Sequence, residues 1–98
     1  MSPDEQRFKR VLMDAVAECR RLRYNPTRFV QMIEQQGPFD AVRALLDAPS
    51  ISEGFGTLLM KNRLDLSVEA IASRPEWRPF FTDEQLAVAR ARLGGATD

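Results

Sequence analysis

Residues 2–23 read SPDEQRFKRVLMDAVAECRRLR, and the fold follows from how this stretch is read. Ser2 stands where a helix N-cap belongs, Pro3 takes the first helical position, and Asp4 and Glu5 fill the first turn. Ser2 and Glu5 also have capping-box spacing. Phe8, Val11, Leu12, Ala15, Val16, Cys19 and Leu22 then recur every three or four residues, the stripe of an amphipathic helix that needs a core to lie on. The spacing predicts a helix to about Arg23. Lys9, Arg10, Arg20, Arg21 and Arg23 fall off the stripe, and the last three complement the negative end of the helix.

The same signals recur downstream. Asn25 reads as a cap and Pro26 as the first position of a second helix, with Phe29, Val30, Met32 and Ile33 as its apolar face and Gly37 as its stop. Pro38 opens a third helix that turns Phe39, Val42, Leu45 and Leu46 inward and ends before Pro49. Residues 49–56, PSISEGFG, read as a loop or a loosely wound helix start capped by Ser52, and a short apolar helix over residues 57–60 ends near Asn62. Leu64, Leu66, Val68, Ala70 and Ile71 form the next buried segment, with Asp65 or Ser67 as its cap. Its first five residues alternate as a strand would. Residues 74–79, RPEWRP, make a proline-bracketed corner of one 3₁₀ turn. Thr82, with Gln85 at capping-box spacing, starts a last helix carried by Leu86, Val88, Ala89 and Leu93 to Gly94-Gly95. The expected architecture is all-α: a compact single-domain bundle of five or six short helices over residues 1–93, with residues 94–98 as a disordered tail.

The chain has 98 residues, 44% of them hydrophobic, enough for one core and too few for two. It has no histidine, which removes imidazole general bases, Ser-His-Asp and Cys-His nucleophile systems and the common histidine zinc sites. The single cysteine, Cys19, has no internal disulfide partner, and its place on the apolar stripe marks a buried thiol. No basic start leads into an apolar secretory segment, and no apolar run approaches the roughly 20 residues that span a bilayer, so a cytoplasmic protein without a membrane span is expected.

Most local hints of chemistry have a plainer reading. The acidic pairs Asp4-Glu5 and Asp83-Glu84 sit in first turns, where negative charge offsets the helix dipole. Gly54-Phe55-Gly56 lacks the lysine of a Walker loop and the third glycine of a dinucleotide fingerprint. No EF-hand spacing occurs, and neither a metal nor a cofactor is expected. Residues 65–72 resemble the first helix of a helix-turn-helix, but about eight residues with two prolines precede the next helix, and that helix opens with acids.

Charge is more telling resolved along the chain than summed. Fourteen basic and fourteen acidic residues cancel, yet residues 1–31 hold seven basic and four acidic groups, for +3, leaving −3 on the remainder. Arg20, Arg21, Arg23, Tyr24 and Arg28 gather around the first helix junction, a mixture that suits an acidic protein surface or phosphates. Trp77 and Arg78, with Phe80 and Phe81, make a corner whose rings either plug the core or present hot-spot residue types to a partner. These seven residues, Arg20, Arg21, Arg23, Tyr24, Arg28, Trp77 and Arg78, are the candidate partner-binding set.

Residues 24–29 (YNPTRF), Gly54-Phe55, residues 63–70 (RLDLSVEA), residues 75–78 (PEWR), residues 81–84 (FTDE) and Ala89-Arg90-x-Arg92-Leu93 together resemble a family of small bacterial all-helical proteins of uncharacterised function, found alone or as modules of longer chains. The resemblance covers roughly residues 22–93, and RLDLSVEA is its most specific part. This chain departs from the pattern with Leu59-Met60 and Asn62, where relatives carry Trp-Glu and Gly. The resemblance implies a single helical domain and no catalytic residues. Two functions are expected from the whole reading. The first is a noncatalytic protein-interaction module, an accessory or regulatory subunit of a bacterial system such as phage defence or a mobile element. The second is nucleic-acid binding through the basic patch.

Overall fold

The computed structural model describes the backbone of residues 2–97 and the side chains of residues 2–95. The described residues form six α-helices, α1 (Pro3–Arg21), α2 (Thr27–Gln36), α3 (Pro38–Asp47), α4 (Glu53–Met60), α5 (Val68–Ala72) and α6 (Asp83–Thr97), and two 3₁₀ turns, Leu64–Leu66 and Pro75–Phe80. No strand occurs among the described residues, so the alternation at residues 64–68 is a 3₁₀ turn leading into α5. A Cα radius of gyration of 12.5 Å matches the roughly 13 Å of a single folded domain of this length.

Most helix starts use the caps written in the sequence. Ser2 Oγ accepts from the Glu5 amide at 3.1 Å, Ser52 Oγ from Phe55 at 3.1 Å and Ser67 Oγ from Ala70 at 3.1 Å. Ser67, not Asp65, is therefore the cap of α5, and its hydroxyl also donates to the Leu64 carbonyl. At α6 the capping box closes both ways: Gln85 N–H donates to Thr82 Oγ1, and Thr82 N–H donates to Gln85 Oε1, each at 3.0 Å. Each such cap contributes about 1 kcal/mol. α2 and α3 have no side-chain cap. The N-cap position of α2 is Pro26 rather than Asn25, and the Asn25 carboxamide instead accepts from Arg20 Nε at 3.3 Å.

Helix ends depart from the sequence reading in a consistent way. α1 stops at Arg21, short of Arg23, because Arg23 turns left-handed at φ 65° and the chain closes a Schellman turn: Tyr24 N–H reaches Cys19 O at 2.9 Å and Arg23 N–H reaches Arg20 O at 3.1 Å. α4 ends identically at Asn62, φ 59°, with Arg63 N–H on Leu58 O. Gly37 serves α2 and α3 at once at φ 92°, a conformation only glycine adopts without strain. Gly94 and Gly95 do not stop α6. Neither has a positive φ, and the helix continues to Thr97, so the expected tail begins as helix, while Asp98 lies outside the described residues.

The core is aromatic at one end. Phe8 stacks on Phe39 with ring centroids 4.4 Å apart, Phe39 stacks on Phe80 at 4.4 Å, and Trp77 and Phe81 close edge-on against Phe8 at 4.9 and 5.9 Å. Leu12, Ile33, Ala41, Val42, Leu46, Ile71, Leu86 and Ala89 extend the core toward the other end. Helix pairing is uneven there. α2 packs on α3, α5 on α6, and α4 chiefly on the first 3₁₀ turn, which leaves a gap between α2 and α4. No described helix is long and apolar enough to cross a membrane.

Candidate functional site

The gap between α2 and α4 is an apolar cleft of about 370 Å³. Its floor is the stripe of α1, with Leu12, Val16 and Cys19 buried; Phe29 and Met32 of α2 form one wall, Phe55 and Leu58 of α4 the facing one, and Leu66 and Val68 the end. Tyr24, placed at the cleft by the Schellman turn, lies against α4: a β-carbon on Gly54 would stand 2.6 Å from its hydroxyl. Glycine at position 54 is what lets the phenol sit there.

The polar groups in the depth of the cleft are held neutral or paired, while Arg28 and Glu53 at its edge have no ion-pair partner among the described residues. Burial raises the Cys19 thiol above its ordinary pKa, with Arg63 nearby only partly opposing it. Burial likewise raises the Tyr24 phenol, helped by Cys19 and Glu53. Neither is a ready nucleophile or base near neutral pH. Glu69, 2% exposed on α5, pairs through Oε2 with Arg92 Nη1 of α6 at 3.1 Å, and the same guanidinium donates to Leu45 O at 3.0 Å and Ala48 O at 2.7 Å at the end of α3. One arginine thus neutralises the buried carboxylate and satisfies carbonyls that the end of α3 leaves open. The pair joins the RLDLSVEA and ARxRL segments.

The candidate residues divide three ways. Tyr24 and Arg28 line the cleft, with Arg28 exposed at its mouth. Arg20, Arg21 and Arg23 are exposed on the adjoining corner of α1; Arg21 pairs with Glu18 at 3.5 Å, whereas no ion pair among the described residues neutralises Arg20, Arg23 or Arg28. Trp77, expected among the partner-binding residues, is instead buried in the core. It is 3% exposed and packed among Phe8, Phe39 and Phe80. Arg78 is exposed on that turn and does not line the cleft.

No protein-family model, curated protein or solved structure matches the chain. Among the described residues no three acidic or cysteine side chains converge as they would around a metal ion. Gly54 and Gly56 lie in the first turn of α4 rather than in a loop, and the Phe55 and Gly56 amides are already bonded to Ser52.

Three arginines with structural roles escaped the sequence reading. Arg92 is described above. Arg43 forks onto the Phe80 carbonyl at 2.7 and 3.0 Å while stacking over Phe39, and Arg63 bridges Asp65 and Glu18. Glu69 alone carried a signal, a charge set among Val68, Ala70 and Ile71.

Proposed function

We propose that this chain is a noncatalytic protein-interaction module whose docking face is the cleft between α2 and α4 together with the arginine corner beside it. The observation that carries the reading is a juxtaposition: an apolar cleft of about 370 Å³ opens beside three exposed guanidiniums without acidic partners. Interfaces combine a desolvated apolar centre with a polar rim and favour arginine and tyrosine, which is the composition found here. Binding is favoured over catalysis by the raised thiol and phenol, which stay protonated near neutral pH, and by a sequence without histidine. A lone buried thiol suits a reducing cytoplasm, where we place it as an accessory or regulatory subunit of a bacterial system.

The test is affinity purification of the full chain from its native host under mild conditions. A stoichiometric protein partner that Arg28→Glu releases is the expected result; no partner, or one indifferent to that substitution, removes the reading. The same three arginines favour nucleic acid as a second reading. It requires binding that weakens steeply with salt, in proportion to the phosphates neutralised.

A further inference from the structure

We propose that the cleft takes a short peptide segment of a partner protein, one that carries bulky aliphatic or aromatic side chains beside acidic ones. The proposal rests on the interaction-module reading and names the occupant. A space of about 370 Å³, walled by Phe29, Met32, Leu66 and Val68, matches one or two large apolar side chains. Nothing charged inside repels them. Cys19 and Tyr24 are kept protonated, and the carboxylate of Glu69 is already held by Arg92.

Charge at the rim selects a chain over a small amphiphile. Of the arginines without acidic partners only Arg28 lines the cleft; Arg20 and Arg23 lie outside it, around the end of α1. A ligand small enough to stay inside meets one cation, whereas a polypeptide leaving the cleft across the α1–α2 corner passes all three. Glu53 lines the cleft from the first turn of α4, beside Tyr24, and no ion pair among the described residues neutralises it. A uniform polyanion such as nucleic acid would set phosphates against Glu53 and leave the apolar floor unused. A peptide that keeps its acids at the arginines and an uncharged backbone at Tyr24 avoids both costs, and the Tyr24 hydroxyl supplies a donor for a backbone carbonyl.

The experiment pans a random peptide library displayed on phage against the immobilised full chain, then measures a selected peptide by fluorescence anisotropy. Selected sequences should pair Leu, Ile, Phe or Met with Asp or Glu. Affinity should fall at least about tenfold for Ala15→Phe, which fills the floor, for Leu66→Glu, which charges the wall, and for Arg28→Glu. Far-UV circular dichroism identifies any variant that fails to fold, and two cleft variants on different elements keep one misfolded protein from deciding the matter. Acidic peptides that respond to Arg28→Glu but to neither cleft variant overturn the cleft proposal and leave the interaction-module reading standing. No enrichment, or peptides indifferent to all three variants, overturns both. Displacement of the peptide by a single-stranded oligonucleotide at low salt overturns the proposal in favour of nucleic acid.

Discussion

Glu69 and Arg92 lie twenty-three residues apart in sequence and 3.1 Å apart in the fold, in an ion pair whose side chains are only 2% and 10% exposed. α5 has five residues and could not persist alone. The pair ties it to α6 and, through the Leu45 and Ala48 carbonyls, to the end of α3. Arg92→Met strands a buried carboxylate and opens both carbonyls, so it should cost about 3–5 kcal/mol of stability. Glu69→Leu combined with Arg92→Met should cost clearly less than the two single changes added together. Urea unfolding of the three variants checks this. Additive losses would mean the pair is not coupled.

Trp77 reports on the aromatic end of the core, since it is the only tryptophan in the chain. Its emission should be blue-shifted and shielded from iodide in the native protein, and both properties should vanish on unfolding. Arg7 covers the ring from outside, its guanidinium 5.4 Å from the centroid. Trp77→Ala should destabilise by about 3–5 kcal/mol. Trp77→Phe should cost less, because it keeps an aromatic body and deletes an indole N–H that finds no acceptor among the described residues. A solvent-like emission spectrum would contradict the packing.

Cys19 should react far more slowly with an aromatic disulfide reagent in the folded protein than in urea at pH 8. Its folded pKa is raised by burial. The stabilisation from keeping the thiol neutral is therefore complete below the unfolded value of about 8.5 and is lost as pH rises through the folded value. Cys19→Ala should accordingly flatten the alkaline fall in stability. Equal reaction rates in the folded and unfolded protein would show that the thiol is open.

Asp65 titrates in the opposite sense. Its hydrogen bonds with Arg63, at 3.1 and 3.2 Å, lower its pKa. The interaction stabilises the fold above the unfolded carboxyl value of about 3.9 and is lost as pH falls through the folded one. The Asp65 side chain is mostly exposed, so the stability effect is small and the titration followed by NMR is the sensitive readout. Arg63→Gln should return the midpoint toward the ordinary value. An unchanged midpoint would reject the pairing.

Features that depend on neighbours in sequence were legible, and those that depend on distant groups were not. The Ser2, Ser52 and Thr82 caps, the 3₁₀ turn at Pro75 and the buried place of Cys19 each follow from a few adjacent residues. The left-handed ends at Arg23 and Asn62 were missed because such positions usually announce themselves with glycine. Gly94-Gly95 misled for the converse reason: glycine permits a stop without requiring one. Of the site, the arginine corner was visible as local charge. The cleft was not, since it exists only because α2 and α4 choose different neighbours, and Trp77 kept two readings because aromatic enrichment looks alike in a hot spot and a core plug.

The proposed docking face is tested most directly by photocrosslinking in the native host. A photoreactive phenylalanine replaces Leu66 at the wall of the cleft in one version of the chain and Val88, exposed on α6 outside it, in another. Irradiation should give one discrete protein adduct from position 66 and none from position 88, and Arg28→Glu should abolish that adduct. An adduct from position 88 alone, or from position 66 regardless of Arg28, would contradict the assignment of the cleft and its arginine corner as the binding face.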